Sequence, residues 1–396
     1  MPTRFGCRTQ LALTVVLVTV LGATPGCFFD KRGFEVSDDA GQNNTTLPDS
    51  EVADGTAWLD ATPDVYVPPC QGNTFECLGD STARECVADD WVDVGYCPLG
   101  CDAATRACRV PSNVDAELYG ETSAGLDVGA SDTPVTIFTD TGEIGGGAGL
   151  IRAPGTGLDV PSGIYYKRLD QGGNPGLGVF VVKGLTIGAG TSVTVVGQRA
   201  LVLLVDGAAS INGIVDVSAR SNVGGPGGYN GGDPAMQGAG SCGGAPGHAE
   251  DISHGCSSGG GGGGHAGAGG DGGDATCGSD FPGGTGGPAT CGVPELIPLV
   301  GGSGGAGGPP IPNVTAAPGA GGGGGGAIQI SATAGITVSA SGGINAGGGG
   351  GTGCTSAGGS GGGAGGGILL EGTTVSVLGG STLAANGGGG GGGDCT

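Results

Sequence analysis

Two aspartates and an arginine near the middle of this chain are residues whose types could do chemistry. Asp206 and Asp216 lie close to Arg220 in the stretch ALVLLVDGAASINGIVDVSAR, which begins at Ala200. Paired carboxylates can supply the acid and the base that hydrolyse a glycosidic bond. The later repeats of the chain contain almost no ionisable residue except Glu371. A solvated outer face is the simpler explanation of these charges, so we expect no catalytic site and no enzyme.

A second cluster combines cysteine with histidine. In CGGAPGHAEDISHGC, His248 and His254 lie between Cys242 and Cys256. Two cysteines and two histidines can bind zinc in a tetrahedral arrangement, but this spacing matches none of the common zinc modules. The export signal described below favours oxidation, so we expect these cysteines to form disulfides rather than to bind a metal.

A third cluster consists of aspartates within a glycine-rich stretch. Asp271, Asp274 and Asp280 lie in AGAGGDGGDATCGSD, which is similar to glycine–aspartate calcium repeats. The nonapeptide period of such repeats is absent, so we expect no cofactor, with calcium as the alternative. A phosphate-binding loop is not expected either, because Gly-Lys followed by Ser or Thr does not occur.

The first of these clusters belongs to a segment with a recurring pattern of short strands. Similar segments begin at Ala200, Ala327 and Gly367, and the stretch from Val179 resembles a preceding turn of the same structure. Each segment has an apolar strand, a turn, a second strand, another turn and a third short strand, followed by glycine. This pattern predicts that residues 109–396 form a right-handed parallel β-helix, whose stacked coils bury a continuous interior. An antiparallel sandwich is the alternative, but it would need longer strands joined by hairpins.

The predicted interior of this β-helix is aliphatic. Apolar residues alternate with polar or small ones in most of these strands, which is typical of strands with one buried face. The side chains expected to point inward are Val202, Leu204, Ile211, Val215, Ile328, Ile330, Ile336, Val338, Leu369, Val375 and Val377.

Glycine accounts for 100 of the 396 residues and is concentrated in predicted insertions between coils, at about 224–325 and 347–366. Runs such as 259–264, 321–326 and 387–393 can form an extended helix like polyproline II, and such helices could pack side by side through backbone hydrogen bonds. Glycine loses more backbone freedom on folding than any other residue, so solvated, disordered loops are the alternative. Cysteines within the longer insertion favour order.

Residues 1–27 have the features of an export signal. Two arginines precede an apolar run at 11–21, which is too short for a stable membrane span. The TPGC that follows resembles a bacterial lipobox, in which Cys27 would be lipidated. Thr24 replaces the usual leucine, so plain secretion is the alternative. Residues 28–69 are acidic and poor in apolar residues, and we predict that they form a disordered tether.

The 14 cysteines support export. Once Cys7 and Cys27 are set aside, an even number remains, in groups of six, four and two, as expected for disulfides whose pairing the spacing leaves open. The candidates are Cys70, Cys77, Cys86, Cys97, Cys101, Cys108, Cys242, Cys256, Cys277, Cys291, Cys354 and Cys395. The six-cysteine module at 70–108 is too short to fold without such bonds, and we expect Trp91 and Tyr96 to form its small core.

Several of these motifs occur together: TPGC, the acidic tether, DDWVDVGYC in the module, and the repeats ALVLLVDGAASINGIVDVSA and LAANGGGGGGG. In them the chain resembles a group of glycine-rich exported proteins, mostly predicted lipoproteins, of myxobacteria and related Gram-negative bacteria. Its glycine tracts are also similar in composition to mycobacterial glycine-rich surface proteins. The resemblance implies a place at the cell surface and no particular activity.

The charge of the chain excludes some partners. The net charge is −23, and Arg220 is the last Lys or Arg, so positions 221–396 contain neither residue type. Nucleic acids and anionic membrane surfaces require such residues. We therefore expect a protein of the outer membrane or cell surface, attached to the membrane through its lipid. Its expected role is structural or adhesive, through contact with polysaccharide, other cells or itself. The alternative is a carbohydrate-active β-helix enzyme acting on extracellular polysaccharide.

Overall fold

A computed structural model of the chain describes residues 70–79, 81–249, 256–276, 280–311, 318–353 and 357–392. Several predicted features lie outside these residues: the export signal, the acidic tether, Cys27, His254, Cys277, Cys354 and Cys395. In the part of the chain that is described, no helix has the length and apolar character needed to cross a membrane.

Residues 70–108 form a small antiparallel unit closed by disulfides. Its strands are β1 (Phe75–Cys77), β2 (Thr82–Val87), β3 (Asp90–Tyr96), β4 (Cys101–Asp102) and β5 (Ala107–Cys108). Strand β2 lies between β1 and β3, and β4 pairs with β5. The disulfides are Cys70–Cys86, Cys77–Cys101 and Cys97–Cys108. The prediction that all six cysteines form disulfides is confirmed, and the structure adds their pairing.

The prediction that Trp91 and Tyr96 form the core of this module is wrong. Tyr96 is 51% exposed, and Trp91 is half-buried, with the guanidinium carbon of Arg84 at 4.3 Å from its ring centroid. The half-cystines Cys70, Cys86 and Cys97 are buried instead, because a unit of this size has too little apolar surface to enclose large rings. Leu99, the one large aliphatic residue that the module buries among its described residues, packs against a neighbouring sheet.

Short strands and two 3-10 helices follow the module. The helices span Ala116–Glu121 and Ala130–Asp132. The strands are β6 (Leu126–Val128), β7 (Val135–Phe138), β8 (Ile144–Gly146), β9 (Gly149–Arg152), β10 (Gly157–Asp159) and β11 (Ile164–Gln171). Strands β8 to β11 add antiparallel edges to the parallel sheets described next.

Four successive triplets of strands then build three sheets. The triplets are β12 (Asn174–Val182), β13 (Leu185–Ile187) and β14 (Ser192–Val196); β15 (Ala200–Val205), β16 (Ala209–Ile211) and β17 (Ile214–Asp216); β20 (Ala327–Ala332), β21 (Ile336–Val338) and β22 (Gly343–Asn345); and β23 (Gly367–Gly372), β24 (Val375–Val377) and β25 (Thr382–Ala384). Between the second and third triplets, β18 (Ala275–Thr276) pairs with β19 (Asp280–Phe281).

Each triplet contributes one strand to each sheet, parallel to its counterpart in the next triplet. The first strands pair in the order β12, β15, β20, β23; the second strands follow β6 as β13, β16, β21, β24; and the third follow β7 as β14, β17, β22, β25. The all-β prediction with parallel sheets is confirmed. The alternative of an antiparallel sandwich is wrong for these triplets, because their strands pair in parallel from one triplet to the next.

Three of the predicted inward-facing residues point the other way. Leu201 pairs with Ile328 and Leu203 with Ile330, so Leu201 and Leu203 share the interior with the isoleucines. Val202, Leu204 and Leu369 instead contact a second apolar cluster on the outer face of the same sheet. The error arises because ALVLLV is apolar at every position, so its sequence alone does not show which residues face which side.

This second cluster covers the outer face of the first sheet. Leu99 of the module, Leu118 and Tyr119 of the first 3-10 helix and Leu299 of the long insertion pack there against Val202 and the strand residues around it. The sheet is therefore buried on both faces, which explains why its central strand is apolar throughout.

The last triplet is more exposed than the others. Val375 and Val377, which the sequence predicts to point inward, pair in register with the buried Ile336 and Val338 but are 43% and 47% exposed. No further described strand covers them.

This arrangement offers a matched pair of substitutions. We expect Val338→Ala to lower the free energy of unfolding by roughly 1–3 kcal/mol, because it removes buried methyl groups and leaves a cavity. The same change at the register partner Val377 should cost clearly less, since that side chain is half exposed. Denaturant unfolding with the disulfides intact measures both. Equal losses would contradict the described difference in burial.

Candidate functional site: a hydrogen-bonded glycine array

The glycine-rich stretches between the triplets are ordered as extended segments packed side by side, which we call the glycine array. Their backbones are joined to one another by hydrogen bonds rather than to the sheets alone. The segments are residues 225–232, 238–245, 259–264, 269–273, 283–287, 301–308, 319–326, 346–352, 358–366 and 386–391.

The hydrogen bonds of segment 259–264 show its helical period. Its six successive N–H groups donate to backbone oxygens at N···O distances of 2.8–2.9 Å; in chain order the acceptors are those of Gly273, Gly359, Ala245, Gly270, Gly362 and Cys242. Successive donors thus point to three neighbouring segments in turn and return to the first at the fourth residue. This is the threefold period of polyproline II. The predicted lateral bonding is observed, and the alternative of solvated loops is wrong for the described residues.

Glycine is required here because neighbouring backbones approach more closely than a β carbon allows. A methyl group on Gly324 would overlap the carbonyl oxygen of Gly302, and one on Gly361 would overlap that of Gly261. Segment 301–308 is buried along its whole length. A buried backbone must have hydrogen-bonding partners, and in this array the partners are other backbones.

The array needs support from outside. Ordering a residue costs about 1–2 kcal/mol of backbone entropy, whereas a hydrogen bond contributes about 1 kcal/mol net. The sheets hold many of the segment ends, because the insertions leave after β17 and β22 and return at β20 and β23. The Cys242–Cys291 disulfide joins two further points of the long insertion, and Cys256 is disulfide-bonded as well.

The two cysteines of the cysteine–histidine cluster, Cys242 and Cys256, are therefore disulfide-bonded and are not free thiols. The expected disulfide of Cys242 is confirmed, with Cys291 as its partner. His248 lies between segments 238–245 and 259–264, where its backbone oxygen accepts a hydrogen bond from Ser258 N and its N–H donates to Ser258 Oγ, both at 2.8 Å. Among the described residues, no group of three or more His, Cys, Asp or Glu side chains is placed to hold a metal ion.

Two of the aspartates considered for calcium have a role within the array. Asp271 Oδ1 accepts a hydrogen bond from the N–H of Gly286 at 2.7 Å, and Asp274 Oδ1 accepts one from Gly283 at 2.8 Å. Their side-chain oxygens thus accept hydrogen bonds from segment 283–287, a role that backbone oxygens have elsewhere in the array. Sequence reasoning missed this role, although their spacing of three residues equals the helical period and could have indicated it.

The aspartates considered for catalysis make separate contacts. Asp206 forms an ion pair with Lys183 of the preceding triplet. Asp216 accepts hydrogen bonds from Asn345 Nδ2 at 3.0 Å and from the backbone of Ser218 at 3.1 Å. The backbone of Arg220 pairs with that of Val223. These contacts link neighbouring strands and turns, and they do not assemble the three residues into one site.

A polar cluster on the outer face of the first sheet was also missed. Glu371 accepts hydrogen bonds from Gln329 Nε2 at 2.9 Å, from Ser331 Oγ at 2.8 Å and from the backbone of Ser112 at 3.2 Å. Gln329 and Ser331 are fully buried, and Asn113 Nδ2 donates to Gln329 Oε1 at 2.9 Å. The cluster fastens the chain after the module to the sheet. Polar residues at alternate positions of the apolar strand AIQISA were the available signal.

Comparison with known proteins finds no matching family model, no matching curated protein and no matching solved structure. The function must therefore be argued from the chain itself, and the glycine array is its most distinctive feature.

The array provides a direct test of the role of glycine. Gly324→Ala should lower the thermal unfolding temperature and increase amide hydrogen exchange in the neighbouring segments, because the new methyl group would overlap Gly302. Gly273→Ala is the control, since a β carbon there meets nothing within 4 Å. We expect it to be neutral or slightly stabilising through its effect on the unfolded chain. Equal effects of the two changes would contradict close packing as the reason for glycine.

Proposed function

We propose that this chain is a cell-surface protein with a structural or adhesive role and no catalytic activity. The observation that carries the proposal is the glycine array: an ordered body of backbone whose outer segment 386–391 is largely exposed, within a chain that has no Lys or Arg after Arg220. Such a surface suits extended, uncharged partners better than a small substrate that must be held by converging side chains.

We infer that the three sheets are the faces of a right-handed parallel β-helix that supports the array. The parallel pairing of first with first, second with second and third with third strands supports this inference. Each coil would bury its aliphatic side chains against the next, as in other solenoids. The glycine segments would then leave one corner of each coil and return at the following strand.

Polysaccharide, other cells or further copies of the chain are the partners that this surface favours. Backbone N–H and C=O groups repeat about every 9 Å along a threefold helix, since each residue rises about 3.1 Å. A partner with its own regular spacing can match such a row at many points. Net charge and the lack of Lys and Arg oppose nucleic acid.

The cell-surface location is supported by sequence alone. The signal-like N-terminus, the lipobox-like TPGC with Cys27 and the acidic tether agree with attachment of an exported chain to the outer membrane by lipid. Disulfides in the module and the array agree with an oxidising compartment.

Binding and catalysis can be separated with purified protein. We expect retention on extracellular polysaccharide of Gram-negative cells without the release of new reducing ends. The Asp206→Asn and Asp216→Asn variants should behave like the wild type in this assay. Release of sugar that is lost in either variant would replace this proposal by the enzyme alternative, and absence of retention would remove polysaccharide as a partner.

Lipid attachment can be tested in cells. Cys27→Ser should move the protein from the outer-membrane fraction to the soluble exported fraction, because the acylated thiol is lost. Surface protease accessibility of the wild type should confirm its exposure outside the cell. Unchanged membrane retention of the variant would contradict attachment through Cys27.

A further inference from the structure

A groove in the glycine array has the form of a position from which one segment is absent. The groove has a volume of about 450 Å³ and runs between four segments. Its walls come from residues 262–263 and 265–270, which include the end of one segment and the start of the next, from residues 362–366 of a third segment, and from Ala385, Gly387 and Gly388 at the start of a fourth.

The hydrogen bonds of segment 259–264 leave one of its sides unused. Its N–H groups reach three neighbours, as described above, and the oxygens of Gly259 and Gly262 accept from segment 283–287. Those of Gly261 and Gly264 accept from segment 301–308. A threefold helix has six sides, because its N–H groups point in three directions and its oxygens in three others. Five of these sides are thereby occupied. Among the described residues, no backbone hydrogen bond uses the oxygens of Gly260 and Gly263, which face the sixth side.

Segment 358–366 shows the complementary pattern. Its oxygens accept from three neighbouring segments, and the N–H groups at 361, 364, 363 and 366 donate to two more. The N–H groups of Gly362 and Gly365 make no backbone hydrogen bond within the described chain. Gly263 of the acceptor row and both members of the donor row, Gly362 and Gly365, line the groove, so acceptors and donors that no described backbone hydrogen bond uses bound the same space.

The spacing of these rows defines what they can bind. Gly260 and Gly263, like Gly362 and Gly365, are three residues apart, so each row repeats at roughly 9 Å in a threefold helix. Another threefold helix carries donors and acceptors at the same interval. The walls also bear no side chains over most of their length, as in the filled positions of the array, where neighbouring backbones touch.

A histidine at one end of the groove adds a further polar atom without a partner. His265 lines the groove and is only 6% exposed, and its Nε2 has no hydrogen-bond partner in the described structure. Burial lowers the pKa of this imidazole, and a hydrogen bond with the backbone of Val300 opposes the shift. A buried polar atom without a partner is costly, so this end of the groove is less well satisfied than the rest of the described array.

From these observations we propose that the groove binds an extended glycine-rich polypeptide strand of a partner chain, held as a threefold helix that completes the array. This inference rests on the proposed binding role and names the chemical class of one partner. The close walls require glycine at the positions that face them, so a strand with glycine at about two of every three residues fits. Its backbone would donate to Gly260 and Gly263 and accept from Gly362 and Gly365.

Groove-filling substitutions test the proposal. A β carbon on Gly262 would lie 3.4 Å from Gly270 N and Gly362 O, and one on Gly387 would lie 3.5 Å from Gly363 O, so both point between the walls without overlap. Gly262→Leu and Gly387→Leu obstruct the groove from two different walls. Gly273→Leu is the matched control, because a β carbon there meets nothing within 4 Å and the residue does not line the groove.

The probe is a fluorescein-labelled Gly-Gly-Ser repeat peptide, titrated into the full chain and followed by anisotropy. An Ala-Ala-Ser repeat peptide with the same label is the negative control. We expect saturable binding of the glycine peptide alone, weakened about tenfold or more in both groove variants and unchanged in Gly273→Leu, since a side chain in the groove excludes the strand. Thermal unfolding should show that all variants remain folded.

The proposal is overturned if the two peptides bind alike, if neither binds, or if folded groove variants bind as the wild type does. Retention on polysaccharide, measured on the same variants, separates this outcome from failure of the proposed function. If the groove variants lose peptide binding but still bind polysaccharide, the groove is supported as a distinct strand site. If the wild type binds polysaccharide but not the peptide, the groove proposal alone is overturned.

Discussion

The array depends on one interaction, the lateral hydrogen bond between glycine backbones in threefold helices. At the separation this bond requires, a β carbon on Gly324 or Gly361 would overlap a neighbouring carbonyl group. Glycine, which usually weakens a folded element through its entropy, is here the residue that permits packing in several directions at once. The contribution of each bond is close to the entropy cost of ordering one residue, so the array is stable only where other parts of the chain hold its ends.

The sheets and disulfides provide that support. Backbone bonds join the two parts directly, for example from Gly326 N to the oxygen of Val217, which follows β17. The register of the parallel strands therefore sets the register of the glycine segments attached to them. The same sheets are held from outside by the module, whose Leu99 packs against the first sheet, and by the polar cluster around Glu371. The sheets, the module and the array thus stabilise one another.

Much of this organisation could be predicted from residue patterns, and the errors have specific causes. Repeated short strands, the cysteines of the module and the capacity of glycine runs for threefold helices are all visible in the sequence. The side of the sheet that Val202 and Leu204 face was not visible there, because a strand that is apolar on both faces shows no alternation of polar and apolar residues. The core of the module was also misjudged, since Tyr96 is exposed and disulfides fill the interior. The contacts of Asp271 and Asp274 depend on a neighbour that is distant in sequence.

The sequence by itself determined the strand triplets, the even groups of cysteines, the scarcity of positive charge and the capacity of glycine backbones to pack closely. These follow from properties that each residue carries with it: side-chain volume, polarity, thiol chemistry and charge. The tertiary structure decided which glycine segments pair, which cysteines join and where a position in the array is left open beside Gly263 and Gly362. Every glycine offers the same donor and the same acceptor, so no residue specifies its neighbour. Strand register and covalent links make that choice.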